Sequence, residues 1–252
     1  MRPILFSIFG LEVKGYGLMI SIGIASALLL LLYISNKKGY NEDKVWSVFF
    51  AAIIGGILGG KLLWIITDFK LIMDDPSILK NIGYGFVIYG AIIGGAIGIY
   101  IYCRKFNWNT LEFFDMAVPG VALAQGFGRI GCFLAGCCYG AHTDSPFGIE
   151  FPNSLFAPSG VKLYPTQIYS SIFDFLLAMF LLWYFKREHK DGQVFGLYII
   201  IYSIGRFLVE FLRDDPRGNV GIFSTSQFIA IFTLIFGIAI FFKHKFEKSK
   251  KA

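Results

Sequence analysis

Long apolar stretches alternate with short charged ones along almost the whole chain. Residues 15–35, 45–60, 82–103, 116–128, 194–205 and 220–242 hold no charged side chain. Several reach the ~20 residues that cross about 30 Å of hydrocarbon as a helix. Others reach that length only by taking in one ionisable residue, namely Lys61, Arg129, Asp174 or Arg206. The pattern predicts about seven spans, centred near residues 25, 56, 93, 122, 177, 204 and 231. The expected fold is all-α: a polytopic helical membrane protein, organised as one integral membrane domain over residues 1–252.

Composition agrees with that pattern. Hydrophobic residues make up 56% of the chain and charged ones 16%, with a mean hydropathy of +0.63. A soluble domain carries about 25% charged residues, so this chain has too few to wet its surface. The basic residues then predict an orientation. Segments 36–44, 104–112, 186–193 and 243–252 hold thirteen Lys and Arg, and the alternate segments hold seven. By the positive-inside rule the first set is cytoplasmic, with the N-terminus outside and the C-terminus inside. The net charge of +6 is thus mostly a topological signal. Its scatter over short loops argues against nucleic-acid binding, which needs a folded basic face. No cleavable signal peptide is evident. Met1 to Gly10 reads as an interfacial segment on the outer side, where Phe6, Phe9 and Tyr16 suit the headgroup belt.

Glycine is patterned rather than scattered. Gly55, Gly56, Gly59 and Gly60 precede Gly90, Gly94 and Gly98 at four-residue spacing, which lets helices approach closely. The longest connection, about residues 135–166, falls on the outer side and holds Pro146, Pro152, Pro158 and Pro165. Such a loop tends to be functional. It leads into Tyr164 to Tyr169, where Pro165, Thr166 and Gln167 mark a helix start.

Two arginines stand inside predicted spans. A guanidinium at that depth costs roughly 2.5–3.5 kcal/mol even on the lenient insertion scale, so it needs a partner or an anionic ligand. Tyr202, Arg206 and Glu210 share one helical stripe, with Arg213 close to it. Glu210 either neutralises Arg206 or orients its fork of donors toward a phosphate. Arg129 has no carboxylate at helical spacing, and Gly128, Gly131, Gly136 and Gly140 surround it. That combination predicts a tight or broken backbone lining a cavity, and an anionic ligand such as a phospholipid headgroup.

The cysteines are ambiguous. Cys132, Cys137 and Cys138 cluster, and Cys103 lies apart. Neighbours such as Cys137 and Cys138 rarely bridge each other, and Cys132 with Cys137 can do so only if the backbone allows. Only His142 is near enough to complete a zinc set, so the signal for a zinc site is weak and no metal is assigned. No base adjoins the thiols to make a nucleophile. Packing in a glycine-rich turn is the simpler reading.

Taken together, these segments resemble the bacterial prolipoprotein diacylglyceryl transferase family, in a cysteine-rich variant of its signature. Residues 128–140 read Gly-Arg-Ile-Gly-Cys-Phe-Leu-Ala-Gly-Cys-Cys-Tyr-Gly, like that signature. Lys14 to Met19 is similar to a first-helix Tyr-Gly-Leu element, and Gly60, Lys61 and Leu62 to a Gly-x-Arg element with lysine here. Tyr89 to Gly94, Tyr164 to Tyr169, Tyr202 to Glu210 and Ser224 to Gln227 follow in the family's order. The resemblance implies transfer of a diacylglyceryl group from phosphatidylglycerol to the lipobox cysteine of a prolipoprotein. Glycerol 1-phosphate is released, and no cofactor is needed. The implied partners are phosphatidylglycerol and the prolipoprotein signal-peptide region, in the bacterial cytoplasmic membrane.

Carried over by position, the resemblance assigns catalysis to Arg129, Arg206, Tyr16 and Tyr89. It assigns substrate binding to Gly128, Gly140, Tyr202, Glu210, Gln167, Cys132 and Cys137. Tyr89 stands where many members have a histidine, and a tyrosine near pKa 10 is a poor base. Cys132 and Cys137 replace a commoner asparagine and glutamate. Those exchanges leave open a divergent member acting on another thiol or lipid acceptor. A non-enzymatic phospholipid-binding or transport protein would also use buried arginines, but it would usually show an internal repeat, and none is visible.

Overall fold

The computed structural model describes residues 4–8, 11–80, 85–152, 154, 156–214 and 218–249. Arg2, Phe9, Gly10, Arg217, Lys250 and Lys251, used above for charge and interface readings, lie outside the described residues, as does the start of the 82–103 stretch. A β-hairpin of β1 (Ile4–Ile8) and β2 (Leu11–Lys14) leads into α1 (Gly15–Lys37). Then follow α2 (Glu42–Thr67), the short α3 (Phe69–Asp74), a 3-10 turn (Pro76–Lys80), α4 (Ile88–Lys105) and α5 (Thr110–Ala135). A long connection carries the two-residue strands β3 (Ile149–Glu150) and β4 (Lys162–Leu163). It ends at α6 (Thr166–Phe185), followed by α7 (Gln193–Val209) and a 3-10 turn (Glu210–Leu212). The paired β5 (Asn219–Val220) and β6 (Phe223–Ser224) precede α8 (Thr225–Ser249).

The predicted spans are all present as helices. Six are long and apolar enough to cross a membrane, namely α1, α2, α5, α6, α7 with its terminal turn, and α8. The seventh, α4, has 18 residues and keeps both of its charges, Arg104 and Lys105, at its last two positions. At 1.5 Å per residue that is about 27 Å, close to the hydrocarbon thickness. The helices expose large apolar side chains: Leu29 is 68% and Leu58 64% accessible. In water such a surface would drive aggregation; against lipid tails it is solvated. The protein is a multi-pass membrane protein.

The chain gathers into two compact units, with the divisions falling inside α1 and α5. Residues 32–113 form one of them. There α2 and α4 pack glycine on glycine, so that a Cβ at Gly55 would collide with the Gly94 carbonyl and one at Gly59 with the Gly90 carbonyl. This is the close approach that the four-residue spacing predicts. Asn41 caps α2 by accepting the Lys44 N–H at 3.0 Å, with Glu42 and Asp43 in the first turn facing the positive end of the helix.

The other unit, residues 1–31 and 114–252, is built around α5. Val118 and Ala122 of α5 bury with Leu177, Ala178 and Leu181 of α6 and Val194 of α7. A buried carboxylate fixes the third helix. Asp115 accepts the Gly192 N–H at 2.6 Å and the Phe195 N–H at 2.7 Å, so α5 supplies the N-cap that Gly192 cannot give α7. At the other end of α6, Ser171 donates to the Gly126 carbonyl of α5 at 2.9 Å.

Candidate active site

The Arg129 segment is a continuous helix, not the break that its glycines suggest. α5 runs unbroken through Arg129 to Ala135, and the turn comes afterwards at Gly136, whose φ is +72°. Gly136 donates to the Phe133 carbonyl at 3.2 Å and Cys137 to the Cys132 carbonyl at 3.2 Å. That paired pattern around a left-handed residue is a Schellman cap, which closes the free carbonyls of the helix end. The glycines inside the helix serve packing instead. A Cβ on Gly131 would sit 3.2 Å from the Tyr16 ring, whereas one on Gly128 would meet nothing within 4 Å. Gly140 is a junction: its N–H donates to the Tyr164 carbonyl at 2.9 Å, and a Cβ there would press on Leu212, Tyr164 and Thr166.

The start of α6 grips this turn. Gln167 donates from Nε2 to the Cys137 carbonyl at 2.7 Å, and Thr166 donates from Oγ1 to the Cys138 carbonyl at 2.8 Å. Cys138 itself holds φ at +63°, a left-handed conformation uncommon for a residue with a Cβ. The turn and these two bonds bring the Sγ atoms of Cys132, Cys137 and Cys138 within 4.8 Å of one another. All three are free thiols. Hydrogen bonds from the Cys132 and Cys137 thiols hold the Cys138 thiol below its ordinary range, with the Arg213 guanidinium beside it acting the same way.

The arginines meet in a cavity of about 270 Å³. Arg129 from α5, Asp174 from α6, and Tyr202 and Arg206 from α7 line its polar part, while Phe173, Leu208 and Leu212 line the rest. Arg206 is anchored twice. Its Nη1 lies 2.8 Å from Glu210 Oε2, and its Nη2 donates to Ser226 of α8 at 2.8 Å. The Glu210 contact is an ion pair rather than an aligned hydrogen bond, so Nη1 retains an unfilled donor direction although it is buried. Glu210 therefore pairs with Arg206 and fixes the position of its guanidinium.

Asp174 is the residue that spacing along one helix does not reveal. It is 2% exposed, its Oδ2 has no hydrogen-bond partner, and both arginines act on it electrostatically. Arg129 thus has a carboxylate after all, on a different helix. The signal was present: Gln167, Ser171 and Asp174 stand at i, i+4 and i+7, a polar stripe on an otherwise apolar span.

The structure brings Arg129, Arg206, Tyr202 and Glu210 together, with Tyr16 close enough to Arg129 and Cys132 to feel their charges. Gln167, Cys132, Cys137 and Gly140 form the adjoining turn. Tyr89 is half-buried on the first turn of α4, in the unit of residues 32–113.

Membrane-length helices around a cavity with two guanidinium groups and a buried carboxylate define a polytopic membrane protein with a charged site at helix depth. The family model of prolipoprotein diacylglyceryl transferase matches residues 3–243. The chain is 62% identical over 248 residues to the phosphatidylglycerol–prolipoprotein diacylglyceryl transferase of Clostridium tetani, covering 98% of this chain and 100% of that one. It is 58% identical to the second such enzyme of Clostridium perfringens, over 100% of this chain and 98% of that one. An enzyme of the same description from Dehalococcoides mccartyi is 36% identical over 99% of this chain and 96% of its own. The chain belongs to the prolipoprotein diacylglyceryl transferase family, and the resemblance carried by residues 128–140 and the ordered motifs is borne out.

Proposed function

We propose that this protein is a phosphatidylglycerol–prolipoprotein diacylglyceryl transferase, acting as a single integral membrane domain. Its full-length similarity to enzymes of that description carries the activity. The cavity that joins Arg129 and Arg206 carries the site.

In this reading the thiol sulfur of the precursor cysteine attacks the glycerol carbon that bears the phosphate. The carbon–oxygen bond breaks, its electron pair stays on the phosphate oxygen, and glycerol 1-phosphate leaves. Negative charge grows on the departing phosphate between Arg129 and Arg206, where two preorganised cations stabilise it more than bulk water would. Tyr202, on the cavity wall, and Gly128, next to Arg129 in sequence, are assigned to the headgroup. The thiol must lose its proton to attack. Asp174 Oδ2, buried and unpartnered beside both arginines, is the acceptor we assign. The tyrosine at position 89 is then not required as a base. Leu208 and Leu212 are exposed at the edge of the cavity, and the acyl chains would lie along them toward the bilayer.

The test is conversion of a synthetic precursor peptide by purified protein in detergent with phosphatidylglycerol. Thioether-linked product is expected from wild type, with turnover reduced about 10²–10³-fold in each of Arg129→Ala and Arg206→Ala, the scale of losing one oxyanion donor. Bound lipid without product in the wild type would point instead to a different acceptor. Full activity in either arginine variant would remove that residue from the site.

A further inference from the structure

The transfer step proposed for Arg129, Arg206 and Asp174 uses none of the three converging thiols, and packing alone does not account for their arrangement. Three separate features aim them at one point. The Schellman turn at Gly136 reverses the chain, Cys138 adopts φ +63°, and Gln167 and Thr166 clamp the carbonyls of Cys137 and Cys138. A left-handed non-glycine residue is held only where its surroundings over-determine it, and such positions gather at ligand clamps and active sites. The Cys137 thiol also makes a long contact of 3.7 Å to the Cys132 carbonyl.

We propose that Cys132, Cys137 and Cys138 form a binding site for a single thiophilic d10 cation, Zn2+ or Cu+, held by three thiolates. The spacing suits either ion. A zinc–sulfur distance of about 2.3 Å in a tetrahedron sets sulfur atoms about 3.8 Å apart. The three Sγ atoms already lie within 4.8 Å of one another, so rotamer adjustment suffices. Soft thiolates favour these ions over hard ones. Zn2+ would keep a fourth position for water, and Cu+ would be satisfied by three sulfurs. Each thiol releases its proton to solvent on binding, so a divalent ion leaves a complex of net charge −1. Arg129, one turn before Cys132, and Arg213, beside Cys138, supply the compensating positive charge. This inference is independent of the transferase reading, because its measurements need no substrate.

The experiment is metal titration of the purified, reduced protein in detergent, with Zn2+, Cu+ and, as an ultraviolet-absorbing thiolate probe, Cd2+. One ion per chain is expected, with three of the four thiols protected from maleimide when it is bound. Cys137→Ser should weaken binding at least about 100-fold, as expected for losing one of three ligands. Cys103→Ser should bind as wild type does. Preference for Zn2+ or for Cu+ identifies which ion the site takes. The inference is overturned if no ion binds, if binding survives Cys137→Ser, or if the wild-type thiols react at unchanged rates with metal present. The maleimide readout uses wild-type protein, so a variant that fails to fold does not decide the matter.

Discussion

At the scale of single residues the site rests on charges whose partners come from different helices. Asp174→Asn keeps the shape of the side chain and removes its charge. For a proton acceptor the expected outcome is a fall in kcat of about 10²–10⁴-fold with the KM for phosphatidylglycerol little changed. A rise in KM alone would make Asp174 a positioning group for the arginines. Cys138 offers a test by pH. Its thiol lies below the ordinary range, through hydrogen bonds from Cys132 and Cys137 and through Arg213. Thiolate therefore persists as pH falls through about 8.5, where an ordinary cysteine protonates. Alkylation of metal-free protein by iodoacetamide should stay fast at Cys138 down to neutral pH, while that of a free cysteine peptide in the same detergent slows; equal slowing of both would contradict the assignment. Arg129 and Arg206 were legible because guanidinium groups are rare in apolar runs. Asp174 was visible as a charge on the polar stripe of α6, whereas its arginine partners sit across helix interfaces that no periodicity along α6 encodes. The convergence of thiols was hidden for a related reason: it depends on two left-handed residues, one of them not glycine.

At the scale of elements, the apolar runs located every membrane helix, because burying a backbone in hydrocarbon leaves few alternatives to a helix. The ends were less legible. The glycines around Arg129 read as a break, whereas α5 continues to Ala135 and turns only where a positive φ is available. Asp115 shows how one element holds another. Replacing it with Ala would strip two N–H groups at the start of α7 of their acceptor and should cost about 0.5–2 kcal/mol, seen as a lower Tm in detergent. An unchanged Tm would mean that water replaces the carboxylate. Gly55→Leu would force α2 off the Gly94 carbonyl of α4, with an expected loss of about 1–3 kcal/mol. A similarly sized change at Gly17, where a Cβ meets nothing within 4 Å, should leave stability nearly unchanged.

At the scale of the whole molecule, the distribution of Lys and Arg leads us to propose an outside N-terminus and a cytoplasmic C-terminus. Cell-impermeant labelling of single cysteines placed in an otherwise cysteine-free chain would check it, with position 159 accessible from outside and position 188 protected. The reverse pattern would invert the assignment. The cavity that holds Arg129 and Arg206 is edged by Leu208 and Leu212, side chains exposed among other apolar ones. Donor and product share the same two acyl tails, so neither needs to leave the plane of the membrane for turnover. The reaction is then two-dimensional. Its rate should follow the mole fraction of phosphatidylglycerol in mixed micelles or vesicles and remain flat when lipid and detergent are diluted together in water.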